Sequence, residues 1–195
     1  SNQPPITKWN LARFAECLIP LIDKDEETAI KIATELIDNF QNIYEEKWLN
    51  MMRDKLGLFG EDKNDLELIN NLLNWMQSNK ADYTNTFCYL MNISSIQDQI
   101  YKDKDFIDWS KNWGERILIN GGSKENSLEL MKKNNPIVIP RNHKVEEALE
   151  AANDNNLKPM YDLLSILKKP YTNQTNIDKF QTPSKNKNYQ TFCGT

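Results

Sequence analysis

Apolar residues recur at every third or fourth position along most of this chain, the spacing of helices that bury one face. Between Asp25 and Leu56 they fall at Ile30, Ala33, Ile37, Phe40, Tyr44, Trp48 and Met51, which predicts one long helix or two in line. Asp23 with Glu26 resembles a capping box, and Gly57 stands where a helix end favours positive φ. Upstream, Trp9 to Ile22 reads as a helix carrying Trp9, Leu11, Phe14, Leu18 and Leu21, which Pro20 must bend or end. Leu66, Ile69, Leu72, Leu73 and Met76 mark a third segment. Asp82 is positioned to cap a fourth through Phe87, Leu90 and Met91. Phe106, Trp109, Trp113 and Ile117 mark a fifth, closed by Asn120-Gly121-Gly122, and Ser123 opens a shorter one that stops at Pro136. Val145, Ala148, Leu149 and Ala152 give a small-residue buried face, and Leu157, Met160, Leu164 and Leu167 another helix, with Pro159 in its first turn. "IVI" at 137–139 is the one β-like run, so the expected class is all-α.

From Tyr171 the composition turns to Asn, Gln, Thr, Lys and Ser. This divides the chain into a helical domain over 1–170 and an extended or disordered tail over 171–195, with Phe180, Tyr189 and Phe192 as docking points. With 39% apolar residues, 195 residues suffice for a buried core. A net charge of -4 supplies no basic footprint for nucleic acid. No stretch approaches the roughly 20 apolar residues of a membrane span. The opening "SNQPPITKWN" has neither the charged nor the apolar region of a signal peptide, so the expected compartment is cytoplasmic.

The chemistry-bearing residues are sparse. The single histidine, His143, has Glu146 and Glu147 at i+3 and i+4, a possible three-ligand face without a second His or Cys nearby. The plainer reading makes Arg141, Asn142 and His143 a structural joint. Asn142 is then the N-cap, and the glutamates favour the positive end of the helix dipole. Cys17 and Cys88 occupy apolar helical positions, where a small buried residue is ordinary. Cys193, in the terminal "FCGT", is a redox candidate on an exposed arm or else incidental. Asp103-Lys104-Asp105 lacks calcium-loop spacing and reads as a solvated loop. Gly121-Gly122-Ser123 belongs to no phosphate-binding pattern and reads as a turn between helices. Trp109 and Trp113 share a helical face and read as core. The residues themselves name no catalytic, cofactor-binding or metal-binding group.

A resemblance adds what spacing does not. "NQPPITKWNLARFA" (2–15) matches the N-Q-P-x-I-x-x-W-N-L-x-R-x-A of the SelO family, the kinase-like protein adenylyltransferases. "YEEKWLNMMRDKLGL" (44–58), "KADYTNTFCYL" (80–90), "MKKNNPIVIPRNHKVEEALEAA" (131–152), "KKPY" (168–171) and "FCGT" (192–195) resemble further family segments in the same order. The resemblance implies the C-terminal part of such a protein, a helical array equivalent to the distal C-lobe of a kinase-like fold. Family members bind ATP in an inverted orientation and, with Mg or Mn, transfer AMP to Ser, Thr or Tyr hydroxyls of proteins. Their nucleotide, metal and catalytic residues precede the N-Q-P segment and have no matching positions here.

The expected partner is therefore the upstream catalytic lobe of the same polypeptide, which this part buttresses. Arg141 is a candidate to pair with a carboxylate of that lobe, which no residue here identifies. The chain alone is expected to be inactive and to hold neither ATP nor metal, and it does not identify the protein substrates. Several bacterial members end in paired cysteines, and animal members have selenocysteine there. Here one cysteine, Cys193, precedes Gly-Thr, leaving a tether to a cysteine of the upstream part as its redox role. The alternative is a non-catalytic helical interaction module.

Overall fold

The computed structural model describes residues 2–93 and 99–184, and every regular element among them is helical. In order these are α1 (Gln3–Ile22), α2 (Glu26–Asp38), α3 (Phe40–Lys55), α4 (Asp65–Ser78), α5 (Tyr83–Leu90), α6 (Lys104–Arg116), α7 (Lys124–Asn134), α8 (Asn142–Asn153), α9 (Lys158–Leu167) and α10 (Asp178–Gln181). One 3-10 turn, Ile100–Lys102, precedes α6. The chain divides into two compact units, Ser1–Met51 and Met52–Thr195.

In the first unit, α1 starts earlier than its apolar periodicity indicates, because Pro4 and Pro5 suit a first turn whose amides have no helical acceptor. It continues through Pro20 and ends two residues later. The cap of α2 is Asp25 and not Asp23. Asp25 is extended, and its carboxylate accepts from Thr28 N at 3.0 Å and from Thr28 Oγ1 at 2.6 Å. Asp23 instead accepts from the amide of Asp25 at 2.9 Å. The long periodic run becomes two helices, separated at Asn39.

The second unit holds the core. The end of α3 is closed by Leu58 N donating to Arg53 O and Gly57 N donating to Asp54 O, a Schellman arrangement with Gly57 at φ +69°. Glycine is required there twice over, since a Cβ would stand 2.6 Å from the Ser127 carbonyl oxygen. Asn92, Asn120, Asn155 and Asn176 also have positive φ. The Asn-rich composition thus serves helix ends and turns, where asparagine tolerates the left-handed region best after glycine.

Leu56, Ile69, Leu72, Met76, Phe87, Leu90, Phe106, Trp109 and Met131 are buried. The indoles keep hydrogen bonds inside: Trp109 Nε1 donates to Leu68 O at 2.8 Å and Trp113 Nε1 to Leu56 O at 2.9 Å. Asp103, expected in a solvated loop, caps α6 and accepts from Trp75 Nε1 at 2.8 Å. The indole bond comes first among the interactions holding its carboxyl below the ordinary range. The 137–139 run forms no strand. Ile137 N and Val138 N both donate to the Pro170 carbonyl, which one chain crossing supplies without a ladder. Within the polar stretch from Tyr171, α10 forms a turn of helix and buries Phe180 and Gln181, so this part is not wholly extended.

Candidate functional site

The Arg141–His143 segment starts α8, and its neighbours come from three other parts of the second unit. Arg141 Nη1 donates to Asp82 Oδ2 at 2.7 Å and Nη2 to Asp82 Oδ1 at 2.9 Å, a two-pronged pair. The same carboxylate caps α5, accepting from Asn85 N at 2.9 Å. Asn85, fully buried, donates through Nδ2 to Gln181 O at 3.2 Å, and Gln181 Nε2 donates to Ile137 O at 2.9 Å. One cluster thereby fastens α5, α8, α10 and the 137–138 crossing. Within this chain Asp82 engages both Nη atoms of Arg141, while the Nε of that arginine is buried without a hydrogen-bond partner.

The cap assignment also moves. Arg141 is the extended N-cap residue of α8, without a side-chain cap bond, and Asn142 is the first helical residue and exposed. The side chain that would have capped the helix is one position too late. Of the expected α8 face, Ala148 is buried and Val145 and Ala152 are half-buried, but Leu149 is 60% exposed.

His143 lines a surface hollow of about 480 Å³ with Lys144, Glu147, Lys179, Thr182, Pro183 and Ser184. Partial burial, followed by the charge of Lys144, lowers its pKa from the ordinary value. Lys144 Nζ donates to both carboxylate oxygens of Glu147, at 2.9 and 2.7 Å, so that glutamate already serves a lysine. No group of three or more His, Cys, Asp or Glu among the described residues is placed to hold a metal.

The most buried charge among the described residues does not follow from spacing. The Asp65 side chain is inaccessible and lies between two arginines. Arg53 Nε donates to Oδ2 at 2.7 Å, Arg116 Nε to Oδ1 at 2.6 Å and Arg116 Nη2 to Oδ2 at 3.2 Å. The Asp62 amide adds a bond at 3.0 Å. Arg116 also donates to the Phe59 and Gly60 carbonyls, at 3.1 and 3.2 Å. Burial by itself would raise the Asp65 carboxyl, but the bonds from Arg116, the Asp62 amide and Arg53 hold it below the ordinary range.

A composition clue to these pairs existed. The chain has four arginines among 24 basic residues, and three of them make Asp pairs in the second unit. Guanidinium is the cation whose planar fork fits a carboxylate.

The cysteines divide. Cys88 is fully buried, its thiol facing the Ile137 carbonyl, and burial followed by the nearby Asp82 charge pushes it up to about 11. A thiol so placed is protonated near neutrality and a poor nucleophile. Cys17, expected on a buried face, is exposed, because the side of α1 that carries it has no cover within the first unit. Cys193 lies outside the described residues.

The arrangement is one of structural pairing. Asp65 and Asp82 have both oxygens engaged by arginines, Asp103 is committed to a helix cap and an indole, and the buried thiol is inert. No helix among the described residues is long and apolar enough to cross a membrane.

Comparison with known proteins matches residues 1–168 to the family described as protein adenylyltransferase SelO. A protein nucleotidyltransferase YdiU from Pelagibacter ubique is 54% identical over 196 residues, covering 100% of this chain and 41% of the relative. Proteins of the same name from Nitrosococcus oceani and Bacillus cereus are each 45% identical, over 198 and 197 residues, with all of this chain and 40% of each relative covered. The chain therefore spans about two-fifths of the length of the curated relatives it matches.

Proposed function

The chain belongs to the SelO family, and from that premise we propose that it is the C-terminal helical portion of a protein adenylyltransferase. In this reading the full-length polypeptide transfers AMP from ATP to Ser, Thr or Tyr hydroxyls of other proteins. ATP with Mg or Mn would bind on the catalytic lobe contributed by the remainder of the polypeptide. The portion described above corresponds to the distal C-lobe of a kinase-like fold, supports that catalytic lobe, and is inactive by itself.

The observation that carries the proposal is the match over residues 1–168, together with 54% identity to a nucleotidyltransferase more than twice as long. The disposition of charges agrees with it. A metal-bound nucleotide needs carboxylates with free oxygens and donors aimed at phosphate. Here Asp65 and Asp82 serve arginines inside the fold instead. Among the described residues no group of three or more His, Cys, Asp or Glu is placed to hold a metal, and no step of the transfer is assigned to this chain. Hydroxyl attack on the α-phosphate with release of pyrophosphate would belong to the remainder, where a bound divalent ion would supply stabilisation of the developing charge.

The test has two arms. Full-length protein with ATP and Mg or Mn should label protein hydroxyls with AMP; absence of labelling with either metal would overturn the enzymatic reading. Calorimetry of the isolated chain with ATP should show no binding, and micromolar affinity would contradict its proposed inactivity. The Cys193 tether is tested by mapping disulfides in oxidised full-length protein, where a Cys193 that is always free removes it.

A further inference from the structure

Helix α1 is apolar on two sides, and only one has a partner within its own unit. Ala12, Ala15 and Ile19 line a groove of about 780 Å³ with Ile30, Ala33 and Ile37 of α2. Leu11, Phe14, Leu18 and Leu21 follow at i, i+3, i+7 and i+10, on a second stripe roughly 80° wide at helical pitch. Phe14 is 60% exposed and Leu21 81%, and no residue of α1 is buried. The polar side of α1, with Asn10, Arg13 and Glu16, faces away from both stripes, so the second stripe is apolar surface left without cover in its own unit. An apolar stripe open at Leu11, Phe14 and Leu21, with Leu18 half-buried among them, marks an interface.

We propose that the Leu11–Phe14–Leu18–Leu21 stripe is the docking surface for the part of the family polypeptide that lies outside these 195 residues. The inference rests on the reading above, that this chain is a portion of a longer adenylyltransferase. Its occupant is argued from length and chemistry. A relative 54% identical across the whole chain has about three-fifths of its length outside the match. That remainder, being covalently linked, is present in every molecule at one-to-one stoichiometry and high effective concentration. The stripe carries no charge, and the adjacent Arg13 is paired with Glu16 at 2.5 Å. It is suited to another apolar protein surface rather than to phosphates or lipid headgroups.

The experiment places a photo-crosslinker in the full-length polypeptide by Phe14→p-benzoylphenylalanine, an aromatic replacement at an exposed position. The expected product is an intramolecular adduct whose peptide map lands outside this chain. An adduct on residues 52–195, one joining two copies, or no adduct overturns the proposal.

Cys17, between Phe14 and Leu21 on the same side of the helix, gives an independent readout in the unsubstituted protein. Docking should slow its alkylation, followed by peptide mapping, by about 100-fold relative to the urea-unfolded protein. Alkylation at the unfolded rate would overturn docking. The two proposals fail separately. A protein that transfers AMP with Cys17 open loses the docking surface alone, and one with Cys17 protected that transfers no AMP loses the enzymatic reading alone.

Discussion

Replacing Asp65 by asparagine preserves shape and removes the charge that two buried guanidinium groups share. The Arg53 and Arg116 side chains are only 10% and 7% accessible, so water cannot replace the carboxylate. Removing one partner of a buried ion pair costs about 3–5 kcal/mol. The lower end applies here, since Arg53 keeps Glu61 at 3.4 Å and Arg116 keeps the Phe59 and Gly60 carbonyls. A loss of about 3 kcal/mol in a chain of this size lowers Tm by roughly 6–12 °C. Urea unfolding followed by tryptophan fluorescence measures it directly, because Trp75, Trp109 and Trp113 belong to the same unit.

The pH dependence supplies a second check. The Asp65 carboxyl is depressed in the folded chain, so its contribution is fully present above the unfolded value of about 3.9. It is lost as pH falls through the lower folded value. The gap between wild type and Asp65→Asn should be constant from pH 7 to about 5 and close below about 4. A variant within about 1 kcal/mol of wild type at pH 7 would refute the assignment of the carboxylate as the compensating charge.

Arg141→Lys should lose much of what Arg141→Ala loses, about 2 kcal/mol in urea unfolding, because an ammonium cannot span both Asp82 oxygens. Gly57→Ala should destabilise by more than about 1 kcal/mol, since the added methyl meets the Ser127 carbonyl at a positive φ. Cys88 should resist iodoacetamide in the native chain at pH 8 and react only on unfolding, as a buried thiol pushed up to about 11 requires. His143→Ala should leave unfolding within about 0.5 kcal/mol and the AMP transfer proposed for the full-length protein unchanged. A tenfold loss of transfer would make His143 a catalytic candidate.

The helices and several of their ends were legible because those signals are local. An apolar residue every three or four positions implies a face, Asp82 and Ser123 sit one residue before helices that they cap, and Gly57 occupies a turn that disfavours a side chain. Local rules also misplaced caps where two candidates stood close together, as with Asp23 against Asp25 and Asn142 against Arg141.

What periodicity could not convey is which apolar face finds a partner. Cys17 and Leu149 lie on faces that look buried and are open. Nor could it pair charges across the chain: Arg116 reaches Asp65 over 51 positions and Arg141 reaches Asp82 over 59. By itself, then, the sequence determined an all-helical chain and, through its motifs, a family. Only the tertiary structure decided that Arg141 pairs with Asp82 and that Asp65, between two arginines, is the most buried charge among the described residues. The physical reason is range: helix periodicity and caps act within one or two turns, whereas burial and ion pairing depend on which distant surfaces meet.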